Sequence, residues 1–467
     1  MYKANLEIYY FLIMFRFSLI FIFSFLYIPC AIGQSQPSKY SYYVLDGNCC
    51  GGEDSDPHAV FGIEASDGYI LLGKSIDTGG LENAFAVKLS KKLPKEKLFL
   101  HPDEDNSFEW SLVFGEEKKR DGFNSAAVLG EYIFLAGYKE SKKRVIDRFL
   151  VKIKFRDGSV IWSKTFPSLK KGKSSAFESI LLTSDNALLL TGVTGAPYSA
   201  VEGFKSYGNP SEGNAFVLYL SPETIASEKA PELADWEKVY KNTLTGKTIQ
   251  EIRLSKEFVL AGSTHEPTEA KLLKIDGSGK ILWEKEFPQH GELTDLAVSE
   301  DGFFLSGHKG GWETGIDGSL SKISNDGKLI WNRTFGNPSG GEGIYSKLGI
   351  GNVKLIFDEC WSVTTVNKFD AVLACGTGIE GCEERTGSIK KECESDPRQN
   401  WRSYLVKIDA DGRLAWEATN SFSFPEEEDS DDLPSTASEW VFITESGGLA
   451  SVIDLDFGFG LEVLRLN

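Results

Sequence analysis

The amino-acid sequence predicts an all-β protein, a β-propeller of seven four-stranded blades, on three observations. One strand–turn–strand pattern recurs along most of the chain. The recurrences carry tryptophan and Asp-Gly at corresponding places. The last recurrence is one strand short, while an unassigned strand stands near the N-terminus. Self-similarity at a near-constant spacing is the mark of a repeat architecture.

The second strand of the repeat is a short apolar run ending in a small residue and glycine. It reads Ile70-Leu71-Leu72-Gly73, Phe134-Leu135-Ala136-Gly137, Leu190-Thr191-Gly192, Leu260-Ala261-Gly262, Leu305-Ser306-Gly307 and Ala374-Cys375-Gly376. Such a run bounded by turns suits a strand buried on both faces. The third strand alternates, as in Phe149, Val151, Ile153 and in Tyr404, Val406, Ile408. Period two implies one buried face and one open face.

The turns into the fourth strand read Asp157-Gly158, Asp276-Gly277, Asp326-Gly327 and Asp411-Gly412. These pairs supply the positive φ of tight hairpins. They lack the alternating carboxylates of a calcium loop. The fourth strand carries Trp110, Trp162, Trp236, Trp283, Trp331 and Trp416. Phe114, Phe166, Tyr240, Phe287 and Phe335 follow the first five by four residues. A tryptophan repeated in this way is read as packing between neighbouring sheets rather than as a binding platform.

Six complete units result. A seventh, with strands expected at 439–444, 448–453 and 461–466, lacks a fourth strand, and the segment 40–45 has no unit of its own. The N-terminal strand is therefore expected to complete the last blade and close the ring, which removes open sheet edges. A misassigned end unit would make the ring six- or eight-bladed.

Ahead of this domain, Lys3 and Arg16 precede an apolar run at 17–32, which ends in Ala31 and Gly33. Residues 1–33 read as a secretory signal peptide, with 34–467 a single propeller domain. An uncleaved anchor is the competing reading, although about 16 apolar residues are short for a span. The expected location is secreted, extracellular or lumenal, with no membrane association after cleavage. Losing Lys3, Arg16 and Glu7 takes the formal charge from −18 to −19. So acidic a chain is not expected to bind nucleic acid through its phosphates.

Six cysteines remain after the leader: Cys49, Cys50, Cys360, Cys375, Cys382 and Cys393. An even number in a secreted chain suggests disulfides, with fifteen pairings open. The ends of the strands bearing Cys360 and Cys375 are expected to adjoin. Cys49 and Cys50 either bond each other or take separate partners. Asn332-Arg333-Thr334 is a glycosylation sequon in a fourth, outermost strand.

Strand order assigns the loops to two faces. Turns such as Ser66-Asp67-Gly68 and Glu300-Asp301-Gly302 crowd one face, with inserts at 91–109 and 222–235 as exceptions. The large insertions, 193–214, 336–354, 377–402 and 421–436, fall on the other face with all six cysteines. Insertions gathered on one face mark the binding face of a repeat protein.

Chemistry-bearing motifs are sparse. The run from Gly376 to Gly381 matches G-x-G-x-x-G, but a dinucleotide site needs a helix next, and a cysteine- and charge-rich loop follows. His265, His290 and His308 fall in loops of units four and five, where Glu266 or Glu292 would join them around a metal, without a recognisable ligand spacing. The acidic run 426–432 reads as a solvated loop. There is no G-x-S-x-G elbow, no H-E-x-x-H and no P-loop.

The repeat, carried best by 151–162, 273–283 and 406–416, resembles the Trp-containing propeller repeats of secreted and surface proteins. In general shape it is similar to the quinoprotein-like superfamily of PQQ-like repeats. The resemblance implies the fold rather than an activity. Quinoprotein dehydrogenases hold a quinone under a vicinal disulfide beside calcium, which Cys49-Cys50 would match, but their calcium ligands and catalytic Asp find no counterpart here. The expectation is a non-catalytic binding propeller whose protein or glycan ligand meets the loop-rich face. No catalytic, cofactor-binding or metal-ligating residue is assigned, and calcium is the one ion in view. The alternative is a quinoprotein-type oxidoreductase.

Overall fold

The computed structural model describes residues 40–46, 50, 56–76, 82–91, 98–100, 108–115, 119–198, 212–252, 255–265, 267, 269–311, 315–336, 356–379, 387, 391, 401–420, 435–455 and 458–465. The expectations for the leader, Cys49, Cys382, Cys393 and the acidic run 426–432 lie outside the described residues.

The strands form a β-propeller built from antiparallel four-stranded units. Unit one is Asp56–Ala65, Gly68–Ile76, Glu82–Ser90 and Phe108–Phe114; unit two is Asp121–Leu129, Tyr132–Lys142, Val145–Lys154 and Val160–Phe166. Unit three is Ser174–Leu182, Leu188–Ala196, Asn214–Leu220 and Trp236–Tyr240; unit four is Gly246–Ile252, Glu257–Ser263, Ala270–Asp276 and Ile281–Phe287. Unit five is Glu292–Val298, Gly302–Gly311, Gly315–Ser324 and Leu329–Phe335; unit six is Ile356–Val366, Asp370–Ile379, Arg402–Ile408 and Leu414–Asn420.

The last sheet comprises Thr436–Ile443, Leu449–Leu455 and Gly458–Leu464, and Tyr40–Asp46 pairs antiparallel with its third strand. The N-terminal strand thus completes the last unit. The insert of unit one adds Leu98–Leu100 outside it in parallel, making this sheet five-stranded.

The expectation of seven separate sheets is corrected. The ladders form six, because units five and six join into one eight-stranded sheet. A single parallel bridge, Ile316 to Phe357, makes that join.

The alternation expected of the third strands fails as well. Leu150, Val151, Lys152 and Ile153 are all buried, because each sheet is covered by a neighbour on both sides. Lys152 donates to Ile225 O at 2.8 Å, and in units four, five and six the corresponding lysine meets an acid on the turn, or beside the turn, that opens the second strand of its own unit. Lys274 meets Glu257 at 2.5 Å, Lys322 meets Asp301 at 2.6 Å and Lys407 meets Asp370 at 3.4 Å. The Lys322 ammonium also stands 3.9 Å from the Phe304 ring centre. A buried charge is tolerated when it is paired in this way.

Adjacent units touch through two recurring devices. On the outside, a fourth-strand tryptophan lies against the glycine of the next unit's hairpin. Trp110 packs on Gly158 and donates its indole N–H to Phe155 O at 3.0 Å. Trp236, Trp283 and Trp331 pack in the same way on Gly279, Gly327 and Gly412. The left-handed residue of the unit-four hairpin is therefore Gly279, at φ +74°, and not the expected Gly277. Unit three carries an insert in place of the hairpin. A short helix, α1 (Pro222–Ala226), capped by Ser221, leads to Ser227, whose carbonyl accepts from Trp162 Nε1 at 3.2 Å.

On the inside, the first strand of each unit has a register shift against its second strand. A bulge leaves a residue out of the ladder, and side chains of the neighbouring unit compensate. Asn124 Nδ2 donates to Phe177 O at 2.7 Å, and Thr294 Oγ1 to Cys360 O at 2.8 Å. Ile180 N donates to Ser125 Oγ, Val363 N to Asp295 Oδ2, and Val441 N to Ser362 Oγ.

Gly158 (φ +68°) and Gly447 (φ +80°) separate strain from contact. A Cβ on Gly158 would stand 3.0 Å from the Trp110 ring, whereas one on Gly447 meets nothing within 4 Å. Gly447→Ala should cost about 1 kcal/mol, the left-handed penalty alone, and Gly158→Ala at least about 1 kcal/mol more. Equal losses in denaturant unfolding would remove the indole–glycine contact from the account.

Candidate functional site

On the loop-rich face, units six, seven and one surround a cavity of about 320 Å³. Its lining includes Asp56, His58, Glu359, Trp361, Trp401, Thr436, Glu439 and Asp454. Two glycines of the second strand of unit six lie under its tryptophans. A Cβ on Gly376 would lie 2.7 Å from the Trp401 ring and 2.8 Å from Trp361, and a Cβ on Gly378 would lie 2.7 Å from Trp401. Both glycines point to one face of the strand, and without side chains they let the Trp401 indole rest on the backbone.

Trp361 is the bulge residue of the adjacent first strand. The two indoles stack at 6.1 Å with 29° between planes. The main chain of Trp401 is pinned to unit seven: its carbonyl accepts from Thr436 N at 2.8 Å, and its N–H donates to Ser435 Oγ at 3.3 Å. The aromatic platform is thus fixed by packing and by main-chain bonds.

The opposite wall comes from units one and seven. His58 Nδ1 lies 2.9 Å from Asp454 Oδ2, and its Nε2 lies 3.0 Å from Asp56 Oδ2. Burial disfavours the imidazolium, but the charge and bond of Asp454, with Asp56 behind it, override this and raise its pKa to about 10. Behind the cavity, Glu292 pairs with His308 at 3.4 Å. Burial pushes the Glu359 carboxyl above its ordinary range, with His308 opposing and Glu292 reinforcing the shift.

The residues singled out by sequence divide as follows. Cys360 and Cys375 face each other in the ladder and form a disulfide beneath the platform. Cys50 is buried and disulfide-bonded, with its partner outside the described residues. The first two glycines of the glycine-rich run lie on the second strand of unit six, under the two indoles. Asn332 lies on an outer strand, but its Nδ2, the atom a glycan would occupy, donates to Ser321 Oγ at 2.9 Å and Ser319 Oγ at 3.2 Å.

The three histidines do not form one site. His290 is fully buried against Ser321 Oγ at 3.0 Å, and burial lowers its pKa to about 4. His308 stands near it with Glu292, while His265 contacts Lys241 O at 3.1 Å. Among the described residues, no group of three or more His, Cys, Asp or Glu is arranged to hold a metal. Sequence reasoning missed Asp56, His58, Glu359, Trp361, Trp401, Glu439 and Asp454. The available signal was that Trp361, Trp401 and Trp440 stand outside the fourth-strand position and gather in units six and seven.

No family model matches the chain, and no curated protein matches it. Solved structures similar to it include the Neurospora crassa Pan2 WD40 domain, at 10% identity and a TM-score of 0.49, over 87% of this chain and 89% of that one. Hydrazine synthase of Kuenenia stuttgartiensis is similar at 8% and 0.46, over 91% and 95%. The periplasmic gluconolactonase of Pseudomonas aeruginosa is similar at 10% and 0.40, over 81% and 84%. At such identities and scores the likeness is one of general shape and says nothing of what the chain binds.

The His58 clamp sets a pH window. Because the folded pKa lies above the ordinary 6.5, its stabilisation is complete below pH 6.5 and is lost as pH rises through about 10. Denaturant unfolding should show a loss on the order of a few kcal/mol between pH 6.5 and 10.5. The His58→Gln variant should lack this loss, and identical pH slopes in the two proteins would contradict the clamp.

Proposed function

We propose that the chain is a secreted, non-catalytic binding propeller whose ligand site is the cavity between units six, seven and one. In this reading the eight-stranded sheet works as two blades, since one bridge alone unites units five and six, and the ring has seven. The observation that carries the binding reading is the Trp361–Trp401 pair seated on Gly376 and Gly378 within a carboxylate-lined cavity. Fixed aromatic faces beside a few oriented polar groups are the usual composition of a ligand site. The site also lies on the face where the sequence gathers its insertions. Secretion is supported by the apolar leader and by the Cys360–Cys375 disulfide.

The test is binding of the purified full chain to glycan and peptide panels, repeated with Trp401→Ala. Hits should weaken at least about tenfold in the variant, as expected for loss of one stacking face, and the protein should be featureless in visible absorbance. A visible quinone band with dye-reducing activity would contradict this reading in favour of a quinoprotein-type oxidoreductase.

A further inference from the structure

We propose that the chain carries a second interaction surface, a basic patch where units two and three meet on the loop-rich face, and that it binds an acidic polysaccharide, a chain of uronate- or sulfate-bearing sugars. The patch is separate from the cavity, so either site can fail without the other. The choice of a polysaccharide rests on the reading that the chain is secreted.

Charge is spread unevenly along the sequence. Residues 116–173 hold fifteen lysines and arginines against seven aspartates and glutamates, in a chain whose totals are 50 against 68. The seven acids include Glu116 and Glu117, which lie outside the described residues, and the neighbouring insert 199–211 brings one glutamate and one lysine. The fold sorts these charges by depth. Asp121, Glu140 and Asp147 are buried, and they hold the loops in place. Glu140 accepts from Arg144 N at 2.7 Å and from the Tyr198 hydroxyl at 2.9 Å. Asp147 accepts from Ser141 Oγ and from Ser168 N, the latter at 3.1 Å. The cations stay outside. Lys142, Lys143 and Arg144 are exposed on the hairpin of unit two, and Lys170 and Lys171 on the connection to unit three. Asp147 ties that hairpin to that connection. Arg120 joins them through Tyr198, since the Arg120 and Arg144 guanidinium carbons each stand 5.7 Å from its ring centre. Lys173 is matched by Glu212 at 2.8 Å. Among the described residues, no ion pair engages Lys142, Lys143, Lys170 or Lys171.

Cations held on pinned loops call for anions, and ammonium and guanidinium groups suit sulfate and carboxylate alike. A single small anion in water would gain little, because one exposed ion pair contributes little. A polymer with an anion on each sugar engages several cations at once. A membrane or a folded protein would also need apolar anchors. On the described hairpin and connection, Leu169 is the one large apolar side chain exposed. The remainder of the chain is acidic and repels a polyanion, which confines it to the patch.

The test is calorimetric titration of the full chain with heparin, alginate, uncharged dextran, poly-glutamate, a DNA duplex and anionic phospholipid vesicles. Heparin or alginate should bind where dextran does not, and should weaken at least about tenfold between about 50 and about 300 mM salt. Lys142→Gln/Lys143→Gln and Lys170→Gln/Lys171→Gln, both checked for unchanged melting temperature, should each weaken that binding at least about fivefold. Lys280→Gln/Lys285→Gln, which removes two exposed lysines of unit four, should leave it unchanged. A heparin preference of about tenfold or more assigns sulfate as the recognised anion, and anything less assigns the carboxylate that both polymers carry. DNA, poly-glutamate or vesicles bound as tightly as the better polysaccharide would overturn the polysaccharide class and leave the basic surface standing. No binding of any polyanion, or an equal loss in the unit-four variant, would overturn the surface itself.

Discussion

Everything in this molecule depends on the join between one unit and the next. No sheet has a core of its own, since second and third strands are buried on both faces. The outer join is an indole laid on a left-handed glycine, repeated as Trp110 on Gly158, Trp236 on Gly279, Trp283 on Gly327 and Trp331 on Gly412. The inner join follows from the bulges. By leaving their own ladders for one residue, the first strands of units three, six and seven free groups that side chains of the preceding unit satisfy, as Asp295 does for Val363 and Ser362 for Val441. The stability of such an array is a sum of units and nearest-neighbour contacts, so a fault at one join is felt by two units.

The candidate site lies where that pattern is closed rather than repeated. His58, in the first complete unit, reaches Asp454 in the last. Lys91 bridges Glu64 and Glu445 across the same seam. The N-terminal strand completes the last sheet, and Leu98–Leu100 covers it. Ring closure therefore brings together residues that no unit holds alone, and the cavity takes its acidic wall from the seam and its aromatic floor from unit six.

The repeat was legible because it is dictated locally. Glycine and tryptophan spacing, apolar second strands and the missing fourth strand can each be read without knowing the neighbours, and so can the adjacency of Cys360 and Cys375. What was not legible depends on what stands opposite. The third strands alternate on paper, yet Lys152 and Lys322 are buried because a neighbour covers them. Gly277 stands directly beside Asp276, but the left-handed turn is two residues later, four before Trp283, as in the other hairpins. Gly376 and Gly378 look like a nucleotide motif because the reason for their missing side chains, Trp401, lies far along the chain. The eight-stranded sheet rests on one bridge, Ile316 to Phe357, which no local pattern announces.

The most direct test of the account is native-state hydrogen exchange at Ile180, Val363 and Val441, whose N–H groups are accepted by side chains of the preceding unit. If the joins hold the ring as one cooperative body, these amides exchange only through global unfolding, as slowly as those of the buried second strands. Exchange by local opening, at free energies well below that of global unfolding, would contradict it.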